Sequence, residues 1–336
     1  MKNIILLGAT GGTGRYLVED LLSHLDLNAY HIVAAGTRAD GGFASDAVEY
    51  VRVDISDSSS FRALPEQAYC VVDLAGIMPA RMEGYHPQKY IDVNISGTLN
   101  VLEYCRRAGA DRILYAQSFG DIKDWGEEKL VLTPDMPRRF RFDTDHTVYV
   151  LSKNFAVDLL ENYRAMYGLK AFVFRLPTIY LWSADDSYFV DGQLRKKGYR
   201  ILIDRAIHGE PLEIWGDPKR KKDMVYVKDF CQMLRRAVLT DTVCHGHYNV
   251  GTGIGTTLEA QVRGIAEVFG SIGNIYPPIL YCPDRPNAPQ YIMDITSAVN
   301  DLGYQPEYSY LQMLQDMKKI YQTERAAIAA RQERFL

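Results

Sequence analysis

Cysteine is scarce in this 336-residue chain. The five that occur, Cys70, Cys105, Cys231, Cys244 and Cys282, are odd in number, scattered and without CxxC spacing. That pattern argues against a disulfide framework and reads as reduced thiols in a cytoplasmic protein. Long apolar runs are also lacking. After Met1-Lys2-Asn3 only Ile4 to Leu7 precede a glycine, too short for a signal-peptide core, and nothing downstream is long enough to span a bilayer. No membrane association is expected. Neither sign of charge dominates: 38 Lys+Arg stand against 42 Asp+Glu, a net charge of −4. Such a chain presents no global field to a polyanion, so no nucleic-acid partner is expected. There is no internal repeat and no Ser/Gly/Pro linker. What remains is an ordinary globular composition, 47% hydrophobic and 24% charged, which excludes a disordered chain. The length predicts one large domain with an appended lobe, or two domains.

The first half alternates short apolar runs with helical patterns. Strands are predicted at Ile4 to Leu7, His31 to Ala35, Tyr50 to Val53, Cys70 to Leu74 and Ile113 to Ala116, with helices at Tyr16 to Leu25 and Tyr90 to Arg107. A helix from Tyr149 to about Tyr167 and a buried strand at Ala171 to Arg175 follow. Strands without polar alternation, separated by helices, imply a parallel sheet covered on both faces. The fold class read from this pattern is α/β, a Rossmann-type doubly wound parallel sheet with a smaller, interleaved C-terminal substrate lobe. The dinucleotide-binding domain is placed at residues 1–176, with return elements about 224–250 (Met224 to Val227 and His247 to Val250) joining the main sheet. Residues 177–336 form mainly the second lobe, ending in a charged stretch from Leu311 to Leu336 that reads as a surface helix or tail.

Gly8-Ala9-Thr10-Gly11-Gly12-Thr13-Gly14 sits between the first strand and the first helix. Gly8 permits a tight turn, Gly11 and Gly12 let backbone approach a pyrophosphate, and Gly14 lets helix pack close on strand. The helix start then offers unpaired N–H groups, including that of Thr13, to the phosphates. A dinucleotide site is the reading. The second strand ends Ala35-Gly36-Thr37-Arg38. The acid that would accept the ribose 2′-OH of NAD is missing, Gly36 leaves room, and Arg38 can meet a 2′-phosphate, so NADP(H) is favoured over NAD, with an exposed loop arginine as the alternative.

Tyr149 and Lys153 lie four apart, on one face of a helix. A nearby ammonium favours the phenolate and so is expected to lower the Tyr149 pKa. Tyr149 could then take a proton from a substrate hydroxyl, or return it. Ser118, at the C-terminal end of a strand, could hydrogen-bond the same oxygen.

Over nearly the whole chain these residues resemble the extended short-chain dehydrogenase/reductases, in their NAD-dependent epimerase/dehydratase branch. The glycine loop resembles GxxGxxG; Asp54-Ile55 resembles the adenine-contacting pair, and Asp73-Leu74-Ala75-Gly76 the segment lying against the cofactor. Asp92 to Leu102 is similar to the NVxGTxNLL helix, Leu114-Tyr115-Ala116-Gln117-Ser118 to the strand ending in the catalytic Ser or Thr, and Tyr149 to Lys153 to YxxxK. Gly216-Asp217, Asp223 to Asp229 and Asp301 to Pro306 resemble substrate-lobe motifs. The resemblance implies catalysis by Ser118, Tyr149 and Lys153. It places a NAD(P) cofactor on Gly8, Gly11, Gly12, Thr13, Gly14, Arg38, Asp54, Ile55, Leu74, Ala75, Gly76, Asn94, Tyr149, Lys153 and Pro177. Ser118, Thr178, Lys222 and Arg285 are expected on the substrate, and no metal is expected. Asn94 is expected to anchor the relay or the backbone near Lys153.

Three departures bear on the substrate. Phe119-Gly120-Asp121 follows Ser118 where dehydratases carry Asp-Glu, which disfavours 4,6-dehydration. Arg175-Leu176-Pro177-Thr178 lacks the Asn usual in nucleotide-sugar enzymes, and Lys222-Asp223 replaces Arg-Asp, losing the bidentate fork. Lys219 to Lys222 and Arg138 to Arg141 read mainly as solvated loops, and Cys244-His245-Gly246-His247 as structural rather than metal-binding. Tyr85, Tyr90 and Tyr180 could stack on a sugar or base. The function read is an epimerase or oxidoreductase acting on a secondary alcohol or ketone of a nucleotide sugar. A ketoreductase using NADPH on a nucleotide sugar or another carbonyl compound is the alternative. A non-catalytic dinucleotide-sensing protein is the reading from another class, set against the retained Ser118, Tyr149 and Lys153. A homodimer through the Tyr90–Arg107 and Tyr149–Tyr167 helices is expected from the resemblance, with Val157, Leu159 and Leu160 compatible with it.

Overall fold

The computed structural model describes residues 1–79, 83–183, 186–190, 193–241, 246–273 and 275–333. Its central sheet takes five strands from the first part of the chain: β1 (Lys2–Leu7), β2 (Tyr30–Gly36), β3 (Val48–Arg52), β4 (Cys70–Asp73) and β5 (Arg112–Ser118). Lys170–Leu176 and His247–Asn249 complete it, and every pairing is parallel. The spatial order runs His247–Asn249, Lys170–Leu176, β5, β4, β1, β2, β3. The chain winds outward from β1 to β3, returns to β4 beside β1, and then winds the other way. The crevice at the C-terminal ends of β1 and β4 is therefore the switch point, where such sheets hold ligands.

Both faces of the sheet are buried, which is why its strands read as continuous apolar runs. Ile4 and Leu6 face α1 (Gly12–His24), packing with Leu17, Val18 and Leu21. Ile5 and Leu7 face the opposite layer, formed by α3 (Gly97–Arg107) and α4 (Thr147–Tyr167). Val157 and Leu160 of α4 are 5% and 0% exposed in that layer, so they belong to the core of the subunit and not to a dimer face. α4 ends on Gly168, whose φ of 70° supplies the left-handed cap. The helix predicted from Tyr90 to Arg107 is not uniform. A short α2 (Pro87–Tyr90) passes into a π-helical turn, Ile91–Ser96, before α3 begins. That wide turn carries Asn94 and coincides with the inward hydrogen bonding of its side chain described below.

His247–Asn249 joins the main sheet, but Met224 to Val227 does not. Val225–Tyr226 pairs with Ile179–Tyr180 in a separate two-stranded sheet. The cause lies at Pro177, which has no N–H to continue a ladder and ends the strand before it. Asp223, just ahead of Val225, is also tied down: its carboxylate accepts from the Thr252, Gly253 and Met293 N–H groups. The C-terminal helix, Tyr310–Glu333, differs from a surface tail. Met313, Leu314 and Met317 are buried in the main core, and Glu324 accepts a bond from the Trp182 indole at 2.8 Å. Among the described residues no helix is long and apolar enough to cross a membrane.

Candidate active site

The glycine loop closes on the end of β4. Gly8 takes φ +78°, and a Cβ there would stand 2.8 Å from the backbone of Leu74 and Ala75. The Leu74 N–H donates to the Leu7 carbonyl at 3.1 Å, so the two segments meet along the crevice. Gly11 N–H donates to Gly8 O, and a Cβ on Gly14 would lie 2.4 Å from that same oxygen. Gly12 faces the Leu181 side chain. Helix α1 starts here without a side-chain cap and with no acid in its first turn. Its first N–H groups, at Gly12, Thr13 and Gly14, are thus disposed to meet an anion, and this cradle fits a dinucleotide pyrophosphate.

At the end of β2 the Arg38 side chain is exposed and has no partner among the described residues. The space beside Gly36 is not open: a Cβ there would meet Thr10 Oγ1 at 2.7 Å, and the Tyr50 hydroxyl bridges the Gly36 and Arg38 carbonyls at 3.0 and 2.7 Å. Asp54 accepts from the N–H and hydroxyl of Ser56, which makes it a local turn residue as well as a candidate ligand. Ile55 is buried against Gly97.

Ser118 ends β5, and its Oγ accepts from Gly120 N–H at 3.1 Å. Tyr149 lies beside Tyr90, ring centroids 5.9 Å apart. Burial pushes the Tyr149 phenol up to about 12, opposed only by its hydrogen bond with Ser118. The ammonium of Lys153 does not lower it, contrary to the expectation from the four-residue spacing. Lys153 shares the helix face but turns toward β5, donating to the Tyr115 hydroxyl at 3.1 Å and the Ala116 carbonyl at 2.8 Å. Burial lowers Lys153 to about 8. Asn94 bonds both the N–H and the carbonyl of Ile77, and donates to Ser152 Oγ at 3.0 Å, one residue before Lys153. Gly76 fits between them, where a Cβ would lie 3.2 Å from Asn94 Oδ1 and 3.5 Å from Lys153 Nζ.

On the lobe side, Lys222 lines a cavity of about 170 Å³ with Tyr180, Tyr199, Met224, Leu258 and Tyr310. Its ammonium lies between the Tyr180 and Tyr291 rings, 5.8 and 5.7 Å from their centroids. Tyr291 packs on Phe119, ring centroids 4.8 Å apart, which joins this cavity to the Ser118 turn. Arg285 stands apart, exposed and 5.2 Å over the Trp215 ring. Pro177 and Thr178 follow the strand Lys170–Leu176, next to β5. Asp121 is turned inward, paired with Arg175 at 3.0 Å. Arg138, Arg139 and Arg141 are paired with Asp158, Glu128 and Asp143, and Arg220 with Glu127. Among the described residues no cluster of His, Cys, Asp and Glu could hold a metal; Cys244 and His245 lie outside them.

The structure thus gathers Ser118, Tyr149, Lys153, Asn94 and Gly76 around the crevice, with Lys222 reached through Phe119 and Tyr291. Tyr115, Ser152, Tyr291 and Asp73 belong to the same surroundings; the first two and Asp73 lie inside motifs read from sequence but carry no role of their own there, and Tyr291 lies in none of them. Only Asp73 left a signal there, as an acid closing the apolar run Cys70-Val71-Val72.

Comparison with known proteins agrees with this fold. Residues 4–251 match the model of the NAD dependent epimerase/dehydratase family. A putative UDP-glucose 4-epimerase of Methanocaldococcus jannaschii is 25% identical over 90% of this chain and 93% of its own. A dTDP-glucose 4,6-dehydratase of Xanthomonas campestris is 24% identical over 87% and 79%. Among solved structures, the UDP-glucose 4-epimerase of Thermotoga maritima with UDP-glucose superposes with a TM-score of 0.75 at 22% identity, covering 96% of this chain and 99% of that one, a likeness of fold. With most of its length matched by the family model, the chain belongs to the NAD dependent epimerase/dehydratase family and is an enzyme of that oxidoreductase and isomerase type.

Proposed function

We propose that this enzyme interconverts a secondary alcohol and ketone on a nucleotide sugar, as a NAD(P)-dependent epimerase with Tyr149 as acid and base. The observation that carries the reading is the convergence of Ser118, Tyr149 and Lys153 at the end of β5, in the same crevice as the glycine cradle. A bound nicotinamide dinucleotide would supply the hydride acceptor and donor. Gly8 to Gly14 would hold its pyrophosphate, with Leu74 to Gly76 and Asn94 lining its path. A Tyr149 phenol kept neutral by burial is in the form that gives a proton to a carbonyl oxygen and becomes a phenolate; in the reverse direction that phenolate takes a proton from a hydroxyl and the neutral phenol is restored. Ser118 would donate to that same oxygen and fix its place.

The substrate class follows from charge. Lys222 enters a largely aromatic and apolar cavity, lined also by Gln261 and by Arg220, which is paired with Glu127; Lys222 itself has no carboxylate within ion-pair distance among the described residues, so an anion such as a diphosphate would complete it. The UDP- and dTDP-sugars named for the relatives carry that group. One observation favours the second reading, a ketoreductase that exchanges NADPH: Arg38 stands exposed and unpaired at the end of β2. We also propose a homodimer through α3 and α4, where Leu99, Leu151 and Phe155 are 41%, 43% and 48% exposed.

Native mass spectrometry on freshly purified protein, followed by titration with NAD, NADP and a panel of UDP- and dTDP-sugars, tests these readings. Tightly retained NAD supports the epimerase, and an empty protein preferring NADP(H) supports the reductase. Binding of neither dinucleotide overturns both.

A further inference from the structure

Behind Tyr149 and Lys153 lies a carboxyl group that the chemistry above does not use. Asp73 closes β4 and is completely enclosed. Its Oδ1 accepts the Ala75 N–H at 3.0 Å, whereas Oδ2 has no hydrogen-bond partner among the described residues. An enclosed carboxylate oxygen without a donor is costly unless a cation stands near it. In the parallel register of β4 and β5, Asp73 stands directly opposite Tyr115, so the two side chains share one face of the sheet. Tyr115 makes the connection onward. Lys153 Nζ donates to its hydroxyl at 3.1 Å and lies 4.5 Å from its ring centroid.

The electrostatics follow the geometry. The titratable groups facing this cluster are Asp73 of β4, Cys105 of α3, Tyr115 of β5, and Tyr149 and Lys153 of α4. Lys153 is the one cation among them. Asp73 is the one charged group that supports the Lys153 ammonium against burial, and Lys153 in turn opposes the burial that pushes Asp73 up to about 6.

We propose that Asp73 is a positioning residue of the proton-transfer site: its enclosed carboxylate, set beside Tyr115, holds Lys153 as an ammonium turned toward β5. The proposal rests on the reading of Lys153 as an active-site group. It explains how a lysine remains charged at neutral pH where its surroundings otherwise strip the proton away. It also explains why an acid closes a strand whose other members are apolar.

The test is a titration of Lys153 by NMR in the full chain labelled with [6-13C]lysine, the resonance being identified by its loss in Lys153→Met. In Asp73→Asn the Lys153 midpoint is expected to fall by about one pH unit or more. Thr98→Val, an uncharged change beside Tyr115, is expected to leave it in place. An unmoved midpoint in folded Asp73→Asn overturns the proposal. Should that variant not fold, Asp73→Ser, whose hydroxyl can still accept the Ala75 N–H, decides by the same criterion. Turnover of Lys153→Met separates this proposal from the reading beneath it. Retained turnover rejects Lys153 as an active-site group, whereas lost turnover with an unmoved Asp73→Asn midpoint rejects only the role of Asp73.

Discussion

Replacing Gly14 by alanine probes the cofactor cradle with a single methyl. The new Cβ would stand 2.4 Å from Gly8 O and 2.7 Å from the Ala9 Cα and carbonyl oxygen, all backbone atoms that cannot rotate away. Either α1 or the loop must shift. Overpacking of this kind costs roughly 3 kcal/mol, the upper part of the usual range. Alanine returns about 1 kcal/mol of helix propensity. The net loss is about 2 kcal/mol, with the start of α1 displaced from the phosphate position. Gly12→Ala is the internal control. Its Cβ meets only Leu181 Cδ1, at 2.8 Å, the far end of a flexible side chain. A rotamer adjustment of about 1 kcal/mol there is balanced by the same propensity gain. Urea unfolding measured without cofactor should show a lower midpoint for Gly14→Ala at unchanged slope, and a near-unchanged one for Gly12→Ala. Dinucleotide affinity of Gly14→Ala should weaken by about tenfold or more, the equivalent of about 1.4 kcal/mol. Wild-type stability and affinity in Gly14→Ala would refute the close packing of loop, strand and helix, as would equal damage in both variants.

Asp73 is raised from 3.8 to about 6, so the folded chain binds more protons than the unfolded one between those values and loses stability as pH rises through that window. Asp73→Asn should remove a slope on the order of 3 kcal/mol from urea melts between pH 4 and 7. Lys153 is lowered from 10.5 to about 8, so the unfolded chain holds the extra proton and stability should rise with pH between those values, a rise that Lys153→Met abolishes. Asp121→Ala strands the buried Arg175 guanidinium and should cost about 3–5 kcal/mol by thermal or urea melting. Leu151→Arg with Phe155→Arg places charge on the exposed α4 face; light scattering should report a monomer if that face joins two copies, and an unchanged dimer would move the interface elsewhere.

Legibility from sequence tracked the distance over which a contact acts. The strands, the glycine loop and the Tyr149–Lys153 spacing are local patterns, and each element stands within a few residues of its reading. The failures were decided by partners far along the chain. Helical periodicity could not show the π turn at Ile91–Ser96, because what meets Asn94 is the backbone of Ile77 and the hydroxyl of Ser152. Val225–Tyr226 has the composition of a core strand, and its partner was settled by the break at Pro177. Val157 and Leu160 were apolar enough for an interface, yet the sheet claims them. At the site, spacing put Lys153 on the face of Tyr149 but could not say that its ammonium would turn to Tyr115 and Ala116.

On the proposed reading, Tyr149 moves the proton in a dinucleotide-dependent reaction on a nucleotide sugar. The most direct measurement compares wild type and Tyr149→Phe with NAD or NADP(H) and UDP- and dTDP-sugars, following nicotinamide absorbance and the product by NMR. Dinucleotide affinity should be unchanged in the variant, while turnover falls by about 10²–10⁴-fold. Turnover that survives Tyr149→Phe at the wild-type rate would rule out Tyr149 as the acid and base.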